Sequence, residues 1–320
     1  MVLSLRVPFV PIMAVAVVAA ACSSAGSTRT VVPPDPPAGA KSASQPVAPD
    51  PIVVHVVGDW LPTSGPLTDQ AGYGRVTQPL VDRFGDDDLT IANLECAVAP
   101  DAAPRPGLEF AFPCLPEDLD ELVRSGVDAV TLANDHITDF GLAGIDSTKA
   151  ALDRAGIIAV GPDTDEAVVI ETTNGPVAVL AIPRSGPLPL SEDDAVRAVR
   201  DAAALELPLV VSVHWGEAGS RAASPADNEL ADRLVASGAD VVMGHGAGRL
   251  HAMRRIDGAV AFMNLGRFVW PVREAPPAEA DTAVGALLLV DDVVEQPCLL
   301  AATISPKGSP AFDQRDPACQ

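Results

Sequence analysis

Five short apolar runs of this chain each end on oxygen or imidazole donors, and helix-like segments separate most of them. Val53–Val57 leads to Gly58-Asp59, Leu89–Ile91 to Asn93-Leu94-Glu95, and Ala129–Leu132 to Asn134-Asp135-His136. Leu209–Val213 leads to His214-Trp215-Gly216, and Val241–Met243 to Gly244-His245. Runs this short and continuously apolar fit strands buried on both faces, as in a parallel sheet flanked by helices. Open α/β sheets bind ligands beyond the carboxyl ends of their strands, which is where these donors fall. A mixture of carboxylates and imidazoles suits a borderline divalent metal, Mn, Zn or Fe, better than the all-oxygen cage of calcium.

Helix signals punctuate the runs. Pro116-Glu117-Asp118 opens one helix with proline and acids, and Gly126 closes it. A second is expected from about Gly144 to Ala155, with Ile145, Thr148, Ala151 and Leu152 on its apolar face and Gly156 as its cap. Ser224-Pro225-Ala226-Asp227 opens a third, with Leu230, Leu234 and Val235 facing the core and Gly238 ending it. Further strands are expected at Ile157–Val160, Ala259–Met263 and Ala283–Val290, with a weaker run at Leu299–Ile304. The fold class is therefore α/β, with two sheets in a layered sandwich.

The outer segments carry a different message. A single cation, Arg6, precedes an apolar stretch from Val7 to Ala21 that stops at Ala19-Ala20-Ala21-Cys22. That stretch falls short of the roughly 20 residues a membrane-spanning helix needs and fits a secretory signal over residues 1–21. The small-small-Cys ending looks like a bacterial lipobox, which makes Cys22 the expected lipidated first residue of the mature protein. Residues 22–51, rich in Pro, Ser, Ala and Gly, read as a flexible linker. One large domain then spans residues 52–304, followed by a tail over residues 305–320. Cys96, Cys114, Cys298 and Cys319 lie outside the cytoplasm on this reading. They allow two disulfides, with sequence proximity favouring Cys96–Cys114 and Cys298–Cys319. The formal charge of −22 offers no basic surface for phosphate backbones, so nucleic acid is not an expected partner.

At these residues the chain resembles the CapA family, extracytoplasmic proteins linked to poly-γ-glutamate capsule synthesis and built on a calcineurin-like metallophosphatase fold. Gly58-Asp59, Asn93-Leu94-Glu95, Ala133-Asn134-Asp135-His136 with Asp139-Phe140-Gly141, His214-Trp215-Gly216, Gly244-His245 and Leu265-Gly266-Arg267-Phe268 are similar to that family's successive motifs, in order. The resemblance implies that Asp59, Glu95, Asp135, His214 and His245 are metal ligands and that His136 is the general acid. It also implies that Asn93 and Asn134 support the ligands. Three departures stand out. Asp135 replaces an asparagine, Gly248 replaces a histidine of Gly-His-His-Pro-His, and Arg267 replaces an asparagine. Losing an imidazole while gaining a fixed positive charge implies one tightly bound metal where the family suggests two. The same guanidinium can grip a carboxylate or phosphate of the substrate. His251, three residues beyond Gly248, is an alternative donor.

Other readings are weaker. His55 sits inside a strand and reads as structural. Gly244-x-Gly246-x-Gly248 is followed by Arg249 where a dinucleotide fingerprint needs glycine, and no Gly-x-Ser-x-Gly elbow is present. The function expected is that of a lipid-anchored extracytoplasmic CapA-like protein, acting in synthesis, release or anchoring of an anionic envelope polymer through a metal-centred site. Polymer synthesis and export subunits are the partners it implies. Two alternatives stay open: a metal-dependent phosphoesterase unrelated to capsule, and a binding module that has lost catalysis. Replacing Cys22 with Ala should release the protein from membranes in a fractionation experiment; unchanged retention would exclude lipidation as the anchor.

Overall fold

The computed structural model describes residues 50–62, 84–162, 165–186, 188–270, 282–290, 293–304 and 310–312. The expected signal segment, Cys22, most of the linker and Cys319 lie outside the described residues. The chain runs β1 (Ile52–Trp60), β2 (Leu89–Leu94), β3 (Ala97–Val98) and β4 (Pro113–Cys114), then a 3-10 turn (Pro116–Leu119) into α1 (Asp120–Arg124). Next come β5 (Ala129–Thr131), α2 (Gly141–Ala155), β6 (Ile158–Val160), β7 (Val168–Glu171), β8 (Pro176–Pro183), α3 (Glu192–Ala203), β9 (Leu209–His214) and α4 (Pro225–Ala236). The remainder is β10 (Val241–His245), β11 (Met253–Ile256), β12 (Ala259–Phe262), β13 (Arg267–Val269), β14 (Thr282–Val290), β15 (Val293–Ile304) and β16 (Pro310–Phe312).

Two large sheets result. The first has the order β16-β15-β14-β1-β2-β5-β6, with β13 also pairing β1; the second has the order β11-β12-β10-β9-β8-β7. β1, β2, β5 and β6 run parallel, as do β8, β9, β10 and β12, while β14, β15, β16, β7 and β11 add antiparallel. β16 adds its edge beyond residue 304, inside the stretch read from sequence as a tail.

Three apolar clusters define four layers. Alternate residues of β1 point to opposite faces, as the strand period of two dictates. Val54 and Val56 meet Val179, Val210, Val241 and Phe262 between the sheets. Val57 faces the other way, onto a cluster holding Leu122 of α1 and Ile145 and Leu152 of α2. On the outer face of the second sheet, Val211 and Val213 pack with Ala198 and Val199 of α3 and Leu230 and Leu234 of α4. The layered α/β sandwich expected from the sequence is the fold that forms.

Local chemistry explains the helix limits. Ser224 Oγ accepts from Asp227 N at 3.1 Å while Asp227 Oδ2 accepts from Ser224 N at 3.0 Å, a reciprocal cap that starts α4 where the sequence placed it. α2 begins three residues earlier than expected and ends at Gly156, whose φ of 77° closes it in the left-handed conformation. The hairpin β7–β8 and helix α3 escape the sequence reading. The run Val177–Ile182 ends on Pro183-Arg184-Ser185, so a search for donors at strand ends passes over it. Among the described residues, no helix is long and apolar enough to cross a membrane.

Cys96 and Cys114 form a disulfide across a separation of 18 residues, next to the short β3–β4 pair. Cys298 is also disulfide-bonded. In the chain-entropy model a loop of that length stabilises by about 3 kcal/mol. The Cys96→Ser, Cys114→Ser double variant should therefore lose about that much in urea unfolding; an unchanged midpoint would show that the cross-link does not constrain the unfolded chain.

Candidate metal centre

The sheets bring their carboxyl ends together, and the donors converge there. At β1 the chain needs glycine: a Cβ on Gly58 would fall 2.0 Å from the Gly266 carbonyl oxygen, and Asp59 N donates to that oxygen at 2.8 Å. Asp59 thereby stands in register with Asn93 of β2. The Asn93 amide donates to Asp59 Oδ1 at 2.9 Å and also to Glu95 Oε2, so one side chain holds two carboxylates. Asn134 supports it in turn, donating to Asn93 Oδ1 at 3.0 Å and to the Leu94 carbonyl at 2.7 Å. Its own oxygen accepts from His136 N and Ile137 N, fixing the turn after β5 that carries Asp135 and His136.

The second sheet supplies the imidazoles. His214 and His245 end β9 and β10 in mutual register. His214 Nε2 lies 3.2 Å from Glu95 Oε1 and 3.6 Å from Asp135 Oδ1. His245 Nδ1 lies 3.0 Å from Asp59 Oδ1. Donor atoms of Glu95, Asp135 and His214 all fall within 4.8 Å of one another, a spread that one ion can draw together. Asp135 Oδ1 and His245 Nε2 are buried with no hydrogen-bond partner among the described residues. Buried polar atoms are rarely left so, and a cation would satisfy both kinds. The donor set fits a divalent metal.

His136 is built differently. Its Nδ1 lies 2.9 Å from Asp139 Oδ2, which also accepts from Phe112 N at 2.9 Å. Phe112 stacks on the ring with centroids 4.0 Å apart. Nε2 is left on the side of Asp135, at 3.9 Å from its Oδ1. Asp139 and Phe112 thus set the ring plane and the tautomer.

Charges follow from this crowding. Burial pushes the His214 value down, but Glu95, Asp135 and Asp59 around it prevail and raise it to about 9. Burial holds the Glu95 carboxyl above its ordinary value, against the attraction of His214. Burial also opposes the charged form of Asp59, yet the His245 hydrogen bond and His214 outweigh it and the value falls below the ordinary one. At His136 burial lowers the value, while the Asp139 hydrogen bond and the fields of Asp135 and Glu95 raise it further, for a net rise.

Several contributors were not legible in the sequence. Ser185 Oγ lies 2.6 Å from His214 Nδ1 and orients that ring from a loop with no recognisable motif. Phe112 and Trp270 flank the centre from segments far apart in the chain, in edge contact at 5.7 Å. Arg267 lies opposite Asp59 in register, and its guanidinium covers Gly248. His251 Nε2 meets the Ser220 carbonyl at 2.9 Å, so that nitrogen is engaged elsewhere. His55, read as structural, pairs through Nδ1 with Asp87 Oδ2 at 2.6 Å.

The raised His214 value has a consequence for the metal-free protein. A ring that gains basicity on folding stabilises the fold fully below its ordinary value of 6.5, and that contribution is lost as pH rises through about 9. The thermal midpoint of chelator-treated protein should fall across this window, and less steeply in His214→Gln. Parallel curves for the two proteins would refute the pairing.

The family model for the bacterial capsule synthesis protein PGA_cap matches residues 53–271. A probable polyglutamine synthesis accessory protein of Mycobacterium tuberculosis is 28% identical over 186 residues, covering 49% of this chain and 49% of that one. The capsule biosynthesis protein CapA of Bacillus anthracis is 27% identical over 175 residues, covering 48% of this chain and 43% of the relative. The PGA biosynthesis protein CapA of Bacillus subtilis is 22% identical over 223 residues, covering 64% and 59%. The chain thus spans about half the length of the curated relatives it matches. With the family match taking in every residue of the centre, from Asp59 through Arg267, this chain belongs to the bacterial capsule synthesis family PGA_cap, to which it was likened as CapA.

Proposed function

We propose that this protein acts in the making of a capsule-type polymer of the cell envelope, through a metal-centred site that cleaves or transfers bonds of an anionic chain. The observation that carries the reading is the convergence of Glu95, Asp135 and His214 at the meeting of the two sheets. The names of the relatives, capsule and PGA biosynthesis proteins, support the polymer. Anchoring by a lipid on Cys22, with residues 22–51 as tether, and contact with polymer synthesis and export subunits belong to the same proposal.

Glu95, Asp135 and His214 would hold one Mn, Zn or Fe ion, with Asp59 and His245 at its flank. Such an ion, when bound, supplies Lewis acidity and an activated water. The chain's own groups do the rest. Asn93 and Asn134 keep the carboxylates in place, and Ser185 keeps the His214 ring turned toward them. His136, its basicity raised by Asp139, holds a proton at Nε2 and delivers it to a leaving group. Gly248 and Arg267 favour a second reading, in which the site binds polymer without turning it over.

Metal analysis of the purified chain is the primary test. The wild type should carry about one ion per chain and His214→Ala far less; equal content would refute the ligand set. His136→Gln should keep its metal and lose roughly a hundredfold or more of any turnover of an aryl phosphate or a γ-linked glutamate polymer. A metal-loaded wild type that binds polymer but turns over neither substrate would establish the binding reading instead.

A further inference from the structure

Arg267 is contacted from two sides. Its guanidinium stacks over Trp270, with Cζ 4.4 Å from the ring centroid. On the other side it lies on Gly248, where an added Cβ would come within 2.9 Å of Nε and 3.3 Å of Cζ and Nη2. Gly248 has a φ of 63°, so a side chain there meets both backbone strain and the guanidinium. Arginine at 267 and glycine at 248 are therefore one coupled feature. The same turn reaches the metal donors at its other end, since a Cβ on Gly246 would lie 3.0 Å from His214 Cε1. Three residues of backbone separate the guanidinium from the centre.

From Trp270 the wall continues. Trp270 meets Phe112 edge-on, and Phe112 stacks on His136, so Arg267, Trp270, Phe112 and His136 form an arc whose two ends both border the centre. Arg267 is exposed, and among the described residues no carboxylate engages it, although the chain carries a charge of −22. A guanidinium carries its N–H donors in a fixed fork that matches a carboxylate or phosphate oxygen pair.

We propose that Arg267, seated over Gly248 and braced by Trp270, is the group that captures an oxyanion of the substrate beside the metal centre, with Trp270 and Phe112 lining the path of the chain attached to it. The assignment rests on the metal-centred reading for where the substrate lies. It makes Arg267 a specificity-determining residue: a neutral chain gains nothing from it, whereas a carboxylate or phosphoryl group is fixed at a set distance from His136.

The test uses the full chain, metal-loaded, with inorganic phosphate and a short γ-linked glutamate oligomer as separate probes in calorimetry. Arg267→Gln should weaken binding of one or both probes by roughly tenfold or more, the usual worth of a charge-assisted hydrogen bond. Arg267→Lys should fall between, because a point charge lacks the fork. Gly248→Ala, which retains the charge but crowds the guanidinium, should weaken the same probe; if that variant does not fold, the Arg267 pair decides. A response with phosphate alone identifies a phosphoryl group, and one with the oligomer alone identifies carboxylates. Equal affinity of wild type and Arg267→Gln for both probes, or no binding of either to the wild type, overturns the proposal. Metal content measured on the same samples keeps the two questions apart: a wild type that holds no metal defeats the metal-centred reading whatever Arg267 does.

Discussion

Two carboxylate–imidazole contacts, Asp59 with His245 and Glu95 with His214, join the carboxyl ends of the two sheets. Each pairs an acid from the first sheet with a ring from the second, and all four groups are buried. Charges removed from water in this way are costly unless partnered, so each acid is matched to a ring of the other sheet; the match favours the charged form of Asp59, while burial still holds the Glu95 carboxyl above its ordinary value. The rest of the centre depends on that relation. Within the first sheet, Asn93 holds Asp59 and Glu95 together and Asn134 holds Asn93, so both acids are presented to the rings of the second sheet.

The apolar layers make the meeting possible. Val54 and Val56 on one side and Val210, Val241 and Phe262 on the other fill the space between the sheets. Near the strand ends this packing gives way to polar contacts. Ser212 donates to Thr131 across the gap at 3.1 Å, and two residues beyond Ser212 stands His214. The change from valine to serine and then histidine along β9 marks the edge of the core and the floor of the site.

Around that floor the chain has an asymmetric border. His136 and its Asp139 brace one end, and Arg267 over Gly248 braces the other, with Phe112 and Trp270 between them. The border combines an imidazole, an aromatic wall and a fixed cation around an interior of carboxylates and buried imidazoles. For the anionic substrate proposed above, the guanidinium would offer attraction at the rim, and the acids inside would repel it unless a cation balanced them.

Much of this was legible in the sequence, because strand ends can be read from apolar runs and each such end displays its donors at once. Asp59, Glu95, Asp135, His214 and His245 are found that way, as are the α/β class and the Ser224 and Gly156 helix limits. The structure decided what depends on residues distant in sequence. Which acid faces which ring follows from the meeting of two sheets, whereas Ser185 against His214, and Phe112 and Trp270 beside His136 and Arg267, follow from contacts between segments far apart in the chain. Ser185 belongs to no pattern, since a lone hydroxyl after a proline-ended strand has no period to reveal it. The substitution of histidine by Gly248 was plain as a loss; only the tertiary packing shows that Arg267 covers that position, because the contact joins the turn after β10 to β13, whose nearness no local sequence encodes.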